Sequence, residues 1–133
     1  MTDKLVKHIA AVTVMVDDYD RALSFYCDTL GFICRVNDDL GEGKRWVVVA
    51  PNGTSAGLLL AKADSETQRA AIGNQVAGRV AFFLHTDDFR RDHAAFMAKG
   101  VRFHEEPRFE PYGTVAVFED LYGNLWDLIE PKG

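Results

Sequence analysis

The 133 residues are 47% hydrophobic and 26% charged, the balance of a globular chain long enough to bury a core. A formal net charge of −5, with no basic run longer than Lys44-Arg45 or Arg90-Arg91, argues against a nucleic-acid partner and against a polybasic membrane contact. The N-terminal stretch MTDKLVKHIAAV has neither a long apolar run nor the layout of an export signal, so a cytoplasmic location is expected, with Cys27 and Cys34 as reduced thiols.

In chain order, AVTVMV (Ala11 to Val16) is an extended apolar run and predicts a strand. Asp18 is placed to cap a following helix, in which Ala22, Leu23, Tyr26 and Leu30 share a stripe and which Gly31 ends. Three strands are expected next, FICRV, RWVVVA and AGLLLA, separated by the turn-formers NDDLGEGK and PNGTS. In DSETQRAAIGNQVAG, Ser65 and Gln68 fit a capping box and Gly73 a stop, so a short linker helix is expected. The pattern then repeats. AFFLHTDDFRRDHAAFMAKGVRF aligns on AVTVMVDDYDRALSFYCDTLGF, with Asp87-Asp88 standing 70 positions after Asp17-Asp18. In the second helix Phe89, Phe96 and Met97 form the stripe and Gly100 the stop; VRFHE, GTVAVFE and LWDLIE supply strands, with EPRFEPY and LYGN between them. The expected fold is α+β, one domain of two βαβββ modules. Module 1 covers about 8–62, the linker about 63–77 and module 2 about 78–131.

VDDYDRALSFYCDTLGF together with FEDLYGNLWDLIEP resembles the vicinal oxygen chelate superfamily, which includes glyoxalase I, extradiol ring-cleaving dioxygenases and the fosfomycin- and bleomycin-resistance proteins. The resemblance runs from about residue 8 to residue 131. It implies two modules whose curved sheets form a cup, a homodimer, and in many members a divalent metal. The metal ligands in such members come from the first and last strand of each module. Their first-strand positions, seven residues before the capping aspartates, correspond to Ala11 and Ala81, which have no donor atom. The last-strand position, three residues after the Asn of the turn, corresponds to Asp127; SAGLLL in module 1 has no carboxylate, imidazole or amide. His8 lies three residues from Ala11, on the opposite strand face and about 10 Å away, and His85 about 13 Å along from Ala81. One donor does not make a zinc site, which typically takes three protein ligands. No metal cofactor is therefore expected, with a zinc, nickel, manganese or iron ion as the alternative.

Strand alternation places Thr13 and Met15 on the cup face of the first strand, and Arg79, Ala81, Phe83 and His85 on that of the second module, with Val12, Val14 and Val16 packed inward. Asp127 joins this face with Leu125 and Ile129, and Tyr112 stands in a turn beside it. An acid among apolar neighbours must be compensated. Asp127 has three readings: an ion pair with Arg79, a contact to a substrate or a base, or a residual metal ligand. Candidate acid/base groups are His85, Asp127 and Tyr112. Trp46 is assigned to neither pocket nor core. Three functions follow: a bleomycin-resistance-like protein holding a small organic molecule in an apolar cup, a metal-dependent lyase or isomerase resembling glyoxalase I (or a ring-cleaving dioxygenase), and a metal-free enzyme using His85 or Asp127 for proton transfer.

Overall fold

The computed structural model describes residues 6–133; the first five, part of the stretch read above for an export signal, lie outside the described residues. The chain forms two compact units, one ending at Asp64 and the other spanning Ser65–Gly133.

In the first unit, β1 (Ala11–Val16) leads to α1 (Tyr19–Leu23), which continues as a π-helical segment, Ser24–Thr29, followed by β2 (Ile33–Gly41), β3 (Lys44–Ala50) and β4 (Gly57–Lys62). The sheet order is β1-β4-β3-β2, with β1 parallel to β4 and the other pairs antiparallel. The doubled aspartate has two distinct uses. Asp18 caps the helix by accepting from the Arg21 backbone N–H at 2.8 Å, and Asp17 pairs with the Arg21 guanidinium at 2.8 Å. The wide turns of the π segment are held by Leu30 N–H donating to Phe25 O at 3.0 Å. Ala22, Tyr26 and Leu30 are buried, together with Val14, Val16, Val47 and Val49. Val12, expected inside, is 45% exposed, because it lies near the start of β1 before the helix covers the strand.

The stretch NDDLG, expected to turn, is strand. β2 runs to Gly41 and reverses through Glu42 and Gly43, both with positive φ (56° and 79°), onto Lys44. That two-residue loop matches the right-handed strand twist, so pairing with β3 carries the polar residues into the ladder. Trp46, opposite Asp38 on this hairpin, is 48% exposed and not a core residue.

The second unit begins with α2 (Glu66–Ala71), capped by Ser65, whose hydroxyl accepts from Gln68 N–H at 3.1 Å. It continues through β5 (Val80–His85), α3 (Phe89–Ala98), β6 (Arg102–Phe103), β7 (Arg108–Glu110), β8 (Gly113–Glu119) and β9 (Leu125–Pro131). The sheet order is β5-β9-β8-β6; β7 also pairs with β8, and β5 is parallel to β9. Asp88 caps α3 through Arg91 N–H at 3.0 Å, and Asp87 pairs with the Arg91 guanidinium at 2.9 Å, repeating the first unit's pattern. The core face of this sheet is aromatic. Trp126 meets Phe82 at 4.5 Å and Phe118 at 5.7 Å between ring centroids, and Phe96 of α3 meets Phe118 at 5.4 Å. Met97, expected on the buried stripe, is 53% exposed. His93 takes that place, between Phe89 at 5.3 Å and Phe103 at 4.4 Å, because its four-residue step from Phe89 keeps one helix face.

Candidate functional site

The site lies on the second unit's sheet, on the face away from α3, and the turn between β8 and β9 sets its register. Asp120 is 3% exposed, yet its carboxylate is fully engaged. Oδ1 accepts from the backbone N–H of Tyr122 and of Asn124, each at 3.0 Å; Oδ2 accepts from Asn124 Nδ2 at 3.0 Å and Trp126 Nε1 at 3.1 Å. A buried carboxylate needs such compensation. By tying Trp126 into the core, Asp120 fixes Asp127 on the opposite face.

Asp127 pairs with Phe83 on β5 and with Val117 on β8, so these three side chains form one row across the sheet. The next row is His85, Ile129, Val115 and Arg108. Phe83 is 63% exposed, whereas Asp127 Oδ1 is buried and has no hydrogen-bond partner among the described residues. Burial raises the Asp127 carboxyl above its ordinary value; Arg108 pulls the other way and Glu105 adds to the rise. Because the folded value is raised, Asp127 holds its proton more tightly folded than unfolded. It therefore weakens the fold at neutral pH, and that penalty fades as pH falls through the raised value to the ordinary carboxylate range. Asp127→Asn is accordingly expected to be more stable than the wild type at neutral pH, with the gap closing toward about pH 4. Urea unfolding across that interval measures it, and a gap that does not vary with pH would refute the assignment.

EPRFEPY was expected to be a connection, but it contains β7. Between Phe103↔Phe118 and Arg108↔Val115 the outer strand has two residues more than β8, so the ladder breaks. Glu105 repairs it. Its Oε2 accepts from the Val117 backbone N–H at 3.0 Å, replacing the missing strand carbonyl, while Oε1 accepts from Arg108 Nε at 2.9 Å. Arg108 Nη1 donates to Glu110 Oε2 at 2.7 Å. These two carboxylates, with a further contribution from Tyr112, hold the guanidinium more firmly protonated than usual. Glu105 and Arg108 had no place in the sequence reading. Glu105 and Glu110 flanking Arg108 was the available signal, but strand alternation does not reveal a side chain acting as backbone.

Arg79 does not pair with Asp127. A bulge between Val80 and Phe82 interrupts the alternation that would carry it to that face, and the cation acting on Asp127 is Arg108. His85 stands one row from Asp127 and is exposed. Tyr112, 55% exposed, interacts with Arg108. Thr13 and Met15 are on β1 of the first unit, and Leu59 is paired with Thr13 there as Asp127 is with Phe83. No group of three or more His, Cys, Asp or Glu side chains among the described residues is arranged to hold a metal ion. The side chains of Ala11, Ala81 and Leu59 have no donor atom for a metal. A separate open depression of about 600 Å³, lined by residues including His93, Met97, His104 and Glu105, does not reach Asp127. No helix among the described residues is long and apolar enough to cross a membrane.

The family described as Glyoxalase/Bleomycin resistance protein/Dioxygenase superfamily matches residues 6–128. An uncharacterized protein of Shewanella frigidimarina is 48% identical over 124 residues, 92% of each chain. Among solved structures, UcmS2 superposes with a TM-score of 0.81 at 32% identity, covering 95% of this chain and 99% of that one. TnmS3, an antibiotic binding protein from Streptomyces sp. CB03234, gives 0.79 at 32% identity over 98% and 100%.

Proposed function

This chain belongs to the Glyoxalase/Bleomycin resistance protein/Dioxygenase superfamily, and we propose that it is a binding protein that holds a small amphipathic organic molecule, without a metal, on the Asp127 face of its second sheet. The observation that carries this reading is Asp127 Oδ1, shielded from water and unpartnered, in one row with an exposed Phe83. Buried polar atoms are seldom left unpaired in a folded protein. An apolar surface with one unmet acceptor suits a ligand that carries an apolar body and a hydrogen-bond donor. The likeness to an antibiotic binding protein supports the same reading. Metal-assisted chemistry in this fold family needs a donor set, and the residues present at the corresponding positions supply Asp127 alone.

The test combines elemental analysis with binding. After incubation with zinc, nickel, manganese or iron(II) and desalting, the protein is expected to retain no stoichiometric metal. Titration with bleomycin and a panel of planar aromatic molecules carrying N–H donors is expected to yield ligands whose affinity falls about tenfold in Asp127→Ala, the loss of roughly one good hydrogen bond. Stoichiometric metal that disappears in the same variant would overturn the reading in favour of a metal-dependent lyase or isomerase.

The proposal includes a homodimer in the cytoplasm with Cys27 and Cys34 as free thiols. Both cysteines are unbridged. Sedimentation at micromolar concentration is expected to show the dimer mass, and a monomer there would end that part of the proposal.

A further inference from the structure

We propose, resting on the binding role above, that the molecule held on this face is an organic cation, an apolar body bearing a protonated amine or guanidinium that reaches Asp127. The charges around Asp127 carry the inference. Arg108 is the cation that acts on Asp127, but its Nε is engaged by Glu105 at 2.9 Å and its Nη1 by Glu110 at 2.7 Å. One guanidinium thus stands against three carboxylates, Glu105, Glu110 and Asp127. One row further, Glu119 is met by His104 Nε2 at 2.6 Å, so that acid has a hydrogen-bond partner of its own. His85, in the row beside Asp127, is exposed.

Turning the Arg108 guanidinium toward Asp127 would disturb its bond to Glu105, and moving Glu105 would open the Val117 N–H. The excess negative charge is therefore built into the break in the ladder. A neutral donor would satisfy Asp127 Oδ1 and leave the charge uncompensated. An ammonium or guanidinium does both, through a charge-assisted hydrogen bond, while a carboxylate ligand meets repulsion. Phe83, 63% exposed and directly opposite Asp127, offers a ring to the apolar body and a π-face to the cation.

Three probes with one aromatic body separate the possibilities: naphthylmethylamine, naphthylmethanol and naphthylacetate, titrated calorimetrically into the full chain. The amine is expected to bind at least about tenfold more tightly than the alcohol, with the acetate weakest, and its advantage to shrink as salt is raised. In Asp127→Asn the amine and the alcohol should become equal, with the alcohol little changed. Glu105→Gln, which keeps an acceptor for Val117 while removing one negative charge, should reduce the amine's advantage without abolishing it. Equal binding of amine and alcohol by the wild type would overturn the cation inference and leave the binding role standing. Failure of all three probes at millimolar concentration would overturn both.

Discussion

Asp120→Ala is expected to lower the unfolding free energy by about 3–5 kcal/mol, the range for leaving a buried charged network without one member. Four donors lose their acceptor together: the N–H groups of Tyr122 and Asn124, the Asn124 amide and the Trp126 indole. Each orphaned donor costs about 1–3 kcal/mol if it stays dry, and water entering the turn limits the sum. A total stability of about 5–15 kcal/mol is usual for a domain, so much of it is at stake. Asp120→Asn should fall between the two, because its amide would place N–H groups against some of the donors that the carboxylate accepts. Urea unfolding followed by tryptophan fluorescence reads both variants. A loss below about 1 kcal/mol in the alanine variant would show that the turn forms without the carboxylate.

Glu105→Ala has the second largest expected effect, about 1–3 kcal/mol, from a part-buried backbone donor and a charged partner losing one acceptor group. Glu105→Gln separates the two contributions, since its carbonyl can still accept from Val117 N–H and most of the stability should return. The alanine variant also frees Arg108 Nε and removes an acid that raises the Asp127 carboxyl. Both changes lower that carboxyl's pKa. Carbon-detected NMR titration of Asp127 should therefore show the drop in Glu105→Ala, and an unmoved carboxyl would mean that Glu105 supports the ladder alone.

The sequence showed the α+β repeat because its signals are local. A carboxylate before a helix, a glycine after it and alternating apolar residues require only neighbours a few positions apart. The doubled aspartates carried the alignment, and in both units one caps and the other pairs with an arginine four residues on. Asp127's face, opposite that of Trp126, followed from strand parity, which survives along β9. Parity failed where the strands are irregular. The bulge at the start of β5 removed Arg79 from Asp127, and the excess residues before β7 hid Arg108 and Glu105. Hydrophobicity put Met97 on the buried stripe, whereas it is exposed and the His93 ring stacks between Phe89 and Phe103 instead. Asp120 was in view within FEDLYGN, but nothing local distinguishes a buried acceptor of four bonds from a solvated turn acid.

The π-helical segment records a difference in length between the two copies. Tyr26 follows Asp18 by eight positions, as Phe96 follows Asp88, and both are buried. Gly31 then follows Tyr26 by five positions, while Gly100 follows Phe96 by only four. The copies close in the same way despite this: Phe32 N–H donates to Tyr26 O at 2.9 Å, and Val101 N–H to Phe96 O at 3.0 Å. One additional residue is thus taken up as a widened turn between two fixed anchors, and the next strand begins two positions after the glycine in each copy. The helix acts as slack in the chain. A one-residue length change is absorbed there, so a duplicated module can drift in length without shifting the strand that follows its helix.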